Sequence, residues 1–270
     1  MFDWELFACL VIACIPGILI TVSGALKAME GRIQASLPEG KEPPPRAVLI
    51  LASSIQSLIL MAVAAAVGTL LAPRVGLGAP FFEALVSGEP LWPALKPMLV
   101  PSLTVGVAGA LLFVAAYYWF FRPRLDRETV QAMEGLRNEL GIWGRVLYGG
   151  IAEEVLTRWG LMTLFVWLGS LLVPGSSAGQ GVAPTIVWVA IVVSGILFGL
   201  GHAPSYLAAG CHKTPIFFAT MLCLNLWASL IFGWLYWQYG LLAAMMGHML
   251  FHLVWWPFDL RLYRPAAAEA

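Results

Sequence analysis

The sequence predicts an all-α, polytopic membrane protein with about seven transmembrane helices and one further amphipathic helix lying on the interface. Three observations carry that class. Of 270 residues, 60% are hydrophobic and only 11% are charged, where a soluble domain carries roughly 25% charged residues. The mean hydropathy is +0.83. The apolar residues also gather into stretches of about 20, the length a helix needs to cross the hydrocarbon core. Such a composition excludes a soluble enzyme, a nucleic-acid binder and a disordered tail, and makes the lipid bilayer the first partner. Fifteen basic residues balance fifteen acidic ones, so no polyanionic partner is implied.

The spans fall at 6–26, 47–72, 99–121, 146–173, 184–203, 216–237 and 241–258. Residues 1–270 read as a single membrane domain: spans one to three over 6–121, a connection over 122–145, and spans four to seven over 146–258. Asp3 and Glu5 stand where a cleavable signal would be basic, so the first span is expected to be retained. Prolines punctuate the connections, with Pro43, Pro44 and Pro45 before span two, Pro97 and Pro101 at the entry to span three, and Pro174 and Pro184 before span five. Cys9, Cys14, Cys211 and Cys223 show neither zinc-finger spacing nor a disulfide framework.

Charge asymmetry gives the orientation. Lys27, Arg32, Lys41, Arg46, Arg122, Arg124, Arg127, Arg137, Arg145, Lys213, Arg261 and Arg264 fall on one side, and only Arg74 and Lys96 on the other. The positive-inside bias then places the N-terminus outside and the C-terminus in the cytoplasm, as expected in a cell inner membrane. Within 122–145, Val130, Met133, Leu136 and Leu140 recur at helical spacing with Arg137, Asn138 and Glu139 between them, the pattern of an interfacial helix leading into span four. His212 and Lys213, between spans five and six, read as solvated.

The informative residues are charges inside spans. Span four holds Glu153, Glu154 and Arg158; left facing lipid, three such groups would cost ~7–10 kcal/mol. Four-residue spacing puts Glu154 and Arg158 on one face as an ion pair. Glu153 points about 100° away, free to face a cavity. Three of the four histidines also fall within late spans: His202 at the end of span five, and His248 and His252 four apart in span seven. At ~1.5 Å per residue, all lie at or toward one half of the bilayer. Two hydrolytic chemistries suit this set. Glu153 is the general base on a water that His202 orients, with His248 and His252 donating to the oxyanion. Alternatively His202, His248, His252 and Glu153 hold a zinc ion with an open position for water, although no Glu lies between the two late histidines as in the usual zinc-protease run.

Taken in order, Glu153-Glu154-x-x-x-Arg158, Phe198-x-x-x-His202 and His248-x-x-x-His252 resemble the signature of the CPBP intramembrane proteases. That family includes the CAAX prenyl endopeptidases, bacteriocin-processing enzymes and abortive-infection (Abi) proteins. The resemblance covers roughly 140–258, and the stretch from Phe232-Gly233-Trp234-Leu235-Tyr236 through Gly240 to His248 also reads like the family's approach to its last motif. It implies a glutamate- or metal-dependent intramembrane endopeptidase. Glu153 matches the catalytic glutamate, His202 the histidine that helps it activate water, Glu154 and Arg158 the supporting pair, and His248 an oxyanion-stabilising position. His252 departs from the pattern, standing where the family has Asn or Asp. The expected substrate is a peptide or protein, lipidated if processing is of the CAAX type; the expected cofactor is none or zinc. Competing readings are a catalytically silent scaffold or immunity protein of the same family, and an ion-coupled transporter. Against the transporter, the intramembrane charges all lie in the second half rather than in paired halves. Oligomeric state is not encoded in any of these features.

Overall fold

The computed structural model describes residues 2–35, 37–38, 41–173 and 182–262; Pro174 and Arg264, used above for turns and orientation, lie outside them. Among the described residues every regular element is a helix and no strand occurs. Seven helices are long and apolar enough to cross a membrane. α1 (Trp4–Ala35) and α2 (Arg46–Leu71) come first, and a short α3 (Pro80–Val86) precedes α4 (Leu91–Ala115). α4 runs on through widened turns over Ala116–Phe121. α5 (Arg127–Gly144) is the amphipathic helix. It continues without a loop into α6 over 145–172. Arg145–Glu153 and Val155–Met162 take π form, and Thr163–Leu172 returns to α form. α7 (Pro184–Gly201), a short α8 (Ala203–Ala208), α9 (Pro215–Tyr239) and α10 (Leu241–Leu262) complete the chain.

The start of the third spanning helix differs from the sequence expectation for an identifiable reason. The third spanning helix begins at Leu91, so Pro97 and Pro101 lie inside it rather than at its entry. Each proline removes one backbone bond, which a membrane helix tolerates where a neighbour packs alongside. Here α10 is that neighbour: Ser102 Oγ donates to the Ala243 carbonyl at 3.1 Å. As the sequence pattern implies, α5 leads straight into span four without a loop. Gly141, at φ 62°, ψ 176°, turns the chain there, a conformation open mainly to glycine.

Small residues set the helix spacing, as expected where lipid removes the hydrophobic drive between helices. A Cβ at Gly106 of α4 would come within 3.0 Å of Gly247 Cα in α10, and one at Gly160 of α6 within 2.7 Å of Ala64 in α2. The Trp159 indole then reaches across to donate to the Ala65 carbonyl at 3.2 Å. Ser229 Oγ of α9 donates to the Ile191 carbonyl of α7 at 3.1 Å. Ile59, Val63, Leu112, Val189 and Leu253 remain exposed on the outside of the bundle, the surface that a bilayer would cover.

Candidate active site

Glu153, Glu154 and Arg158 sit on the π-form part of α6. A π turn closes i→i+5 rather than i→i+4 bonds and is frequent at functional sites. Consistent with that spacing, Thr163 Oγ1 donates to the carbonyl of Arg158, five residues earlier, at 3.1 Å. The expected ion pair is present, with Arg158 Nη1 3.2 Å from Glu154 Oε1, the side chains being 2% and 0% exposed. The same carboxylate oxygen lies 2.6 Å from His248 Nδ1 of α10. Glu154 therefore joins a guanidinium to an imidazole, which the spacing of the motifs did not reveal.

Glu153 faces the other way, into a cavity of about 610 Å³ that His202, His248 and His252 also line. Its Oε1 is 3.9 Å from His202 Nε2, and its Oε2 is 4.0 Å from His248 Nε2. Neither separation is a direct hydrogen bond, and both are the span that one bridging water closes. The ring of His202 is held from behind, Nδ1 lying 2.9 Å from the Phe198 carbonyl. A carbonyl only accepts, so Nδ1 carries the proton and Nε2 presents a lone pair towards Glu153. α8 begins at Ala203, directly after His202, with Pro204 as its second residue, so α7 stops at the imidazole.

His252 is brought into the same cavity by stacking. Its ring lies 4.8 Å from that of His248, which in turn stacks on Phe232 at 4.4 Å. Trp255 continues the column at 6.3 Å. His252 Nε2 occupies the space beside Gly149, where a Cβ would approach it to 2.6 Å. The absent side chain at 149 thus makes room for the imidazole. His252 Nδ1 has no hydrogen-bond partner.

These residues do not fit a zinc site. Zinc–nitrogen bonds of ~2.0–2.1 Å require ligand atoms close together around one point. Among the described residues, the group that brings three ligand atoms within 4.8 Å of one another is Asp126, Glu128 and His212 on the surface, not Glu153 with the late histidines.

Three features escaped the sequence reading. Arg122, Arg137 and Arg145 entered the orientation count as loop charges, yet Arg137 and Arg145 are buried. Asp259, near the end of α10 and fully buried, draws both inward, to Arg137 Nη2 at 3.2 Å and Arg145 Nη1 at 2.6 Å. An acid among Trp255, Trp256, Pro257 and Phe258 was the signal that would have revealed the cluster. α5 does more than lead into span four, because Met133, Leu136, Arg137 and Leu140 line the cavity. His212 is not simply solvated: it lies 3.2 Å from Asp126 and 3.4 Å from Glu128, tying the α8–α9 connection to the start of α5. Asp126 caps α5 by accepting from the Thr129 amide at 2.8 Å, and that bond holds its carboxyl below the usual carboxylate range.

The class defined by this fold and site is a polytopic helical membrane protein with a carboxylate–imidazole centre inside the bundle. Residues 138–254 match the family model described as type II CAAX prenyl endopeptidase Rce1-like, and this segment belongs to the CPBP/CAAX protease family. The match takes in Glu153, Glu154, Arg158, His202, His248 and His252, and ends before Asp259. No curated protein and no solved structure matches the chain.

Proposed function

We propose that the protein is an intramembrane endopeptidase in which Glu153 activates water against a peptide bond. The observation that carries this reading is the pair of ~4 Å gaps from Glu153 to two imidazoles contributed by two other helices. A water 2.8 Å from two atoms 3.9 Å apart subtends roughly 90°, an acceptable hydrogen-bonded arrangement. It would give one proton to Glu153 and the other to the lone pair of His202 Nε2. Attack on the carbonyl moves the first proton to Glu153, which returns it to the leaving amine.

Glu154, compensated by Arg158, fixes the His248 ring through Nδ1, so that Nε2 is turned to the cavity at the wall where the oxyanion forms. His252, stacked behind it, supplies the second polar group at that wall. The imidazole in place of the family's Asn or Asp retains a donor. The geometry favours glutamate-activated water over zinc, because the candidate ligands are too widely spread. Termini placed with the N-terminus outside would put the cleaved bond toward the cytoplasmic half of the bilayer. A lipidated peptide suits a cavity whose walls are mostly apolar.

The test is cleavage of a prenylated peptide by purified protein in liposomes, followed by mass spectrometry. Wild type is expected to cleave with and without a zinc chelator, and Glu153→Gln to lose at least about 10²-fold, the usual scale of general-base catalysis. Equal cleavage by Glu153→Gln contradicts the assignment, and chelator-sensitive cleavage contradicts the metal-free mechanism.

A further inference from the structure

α9 presents a polar group to the cavity that hydrolysis leaves unused. Asn225 lines the same cavity as Glu153 and His202. Its amide is oriented by its own helix, Nδ2 donating to the Met221 carbonyl at 2.7 Å. A carbonyl only accepts, so the nitrogen is the end turned to Met221 and Oδ1 is the end left over. Oδ1 takes no hydrogen bond from any described residue. Unlike Glu154 Oε2 and Trp255 Nε1, it is not among the unpartnered atoms sealed inside the protein, so it opens on the cavity. Two glycines of α7 bring this side chain to the site. A Cβ at Gly195 would lie 2.6 Å from Ser229 Cβ, and one at Gly199 would lie 3.3 Å from Asn225 Cβ. Gly199 stands three residues before His202, ~4.5 Å along the helix. The His202 ring leans back over that turn, because its Nδ1 lies 2.9 Å from the Phe198 carbonyl. The imidazole and Asn225 therefore share one level of the bundle on neighbouring helices.

We propose that Asn225 Oδ1 accepts a backbone N–H of the bound peptide close to the bond that Glu153 attacks. A peptide entering the bundle leaves water behind, and each backbone N–H without an acceptor is costly there. Leu197, Leu224 and Ala228, which line the same cavity, carry no side-chain acceptor. Glu153 and the lone pair of His202 Nε2 are taken by the attacking water, whereas Oδ1 is free for the peptide. An extended chain advances ~3.3–3.6 Å per residue. A contact at the level of the His202 ring therefore falls within about two residues of the cleaved bond. The contact rests on the peptidase reading above and adds a substrate-binding residue to it. A group that only joined α9 to α7 would not sense whether the substrate carries that N–H.

Binding is measured by fluorescence anisotropy on the Glu153→Gln protein in phosphatidylcholine nanodiscs. The probes are the labelled prenylated peptide of the cleavage assay and a series in which one backbone amide at a time is replaced by an ester. An ester has no N–H, and otherwise keeps the shape of the chain. One ester within two residues of the cleaved bond is expected to bind about tenfold more weakly than the all-amide peptide, the scale of one buried hydrogen bond. Asn225→Ala keeps the Cβ that packs on Gly199 and removes both amide heavy atoms. It should weaken the all-amide peptide by the same factor and bring the ester ratio near one. If that variant does not fold, Asn225→Leu refills the lost volume and should give the same ratio. A uniform ester series overturns the proposal, as does a penalty that persists in the Asn225 variant. A penalty that lies three or more residues from the cleaved bond overturns it too. Cleavage of the all-amide peptide by protein with Glu153 intact is followed in parallel and locates the cleaved bond. An ester penalty erased by Asn225→Ala without any cleavage leaves the contact standing and removes the peptidase reading. Cleavage with no such penalty does the reverse.

Discussion

Adding one methyl group at position 149 should disable the site. A Cβ there would lie 2.6 Å from His252 Nε2, 3.1 Å from its Cδ2 and 3.3 Å from His248 Nε2. Ordinary contacts begin near ~3.5 Å, so the His252 ring has to retreat by ~0.9 Å. It cannot do so freely, being stacked between His248 at 4.8 Å and Trp255 at 6.3 Å. Overpacking of this kind costs about 1–3 kcal/mol, and a displacement near 1 Å at a reacting centre costs on the order of 10²-fold in rate. Gly149→Ala should therefore lower the thermal midpoint in detergent and reduce cleavage by a similar factor. His252→Ala removes the opposing atoms, so Gly149→Ala should cost less stability in that background, a coupling that a double-mutant cycle reads directly. Unchanged stability and cleavage in the single variant would refute the argument, as would strictly additive losses in the pair.

Other perturbations report on separate parts of the molecule. Glu154→Gln leaves Arg158 buried beside a neutral amide, and removal of one partner from a buried pair costs about 3–5 kcal/mol. The thermal midpoint should fall and cleavage should drop, since His248 loses the carboxylate that orients its ring. Trp159→Phe gives up the bond to the Ala65 carbonyl, about 1 kcal/mol, and should destabilise with little effect on cleavage. Asp126→Ala removes the α5 cap, worth roughly 0.5–2 kcal/mol. Because the folded Asp126 carboxyl is depressed, its contribution is present above the ordinary carboxylate pKa and lost as pH falls through the lower folded value. The gap between wild type and Asp126→Ala, read as thermal midpoints, should be full at neutral pH and shrink at acid pH.

Much of the architecture was legible because lipid makes it so. Runs of about 20 apolar residues have few alternatives to a spanning helix, and Glu153, Glu154, Arg158, His202, His248 and His252 stood out as polar groups inside such runs. The Glu154–Arg158 pair followed from spacing alone. What spacing could not supply were contacts between helices. The link from Glu154 to His248 joins positions 94 residues apart, and that from Arg145 to Asp259 spans 114. Arg137 and Arg145 look like ordinary connection charges until Asp259 is seen to be fully buried beside them. The π form of α6 was also hidden, since local sequence read at 100° per residue assumes α geometry throughout.

The central claim is that Glu153 and His202, on different helices, act on one water. It is tested most directly by the cleavage rates of Glu153→Gln, His202→Ala and the double variant, each verified as folded. Groups that act as a unit are strongly non-additive. The account predicts that the double variant is within a few-fold of the slower single one. Losses that multiply would show that the two side chains contribute independently, and would contradict it.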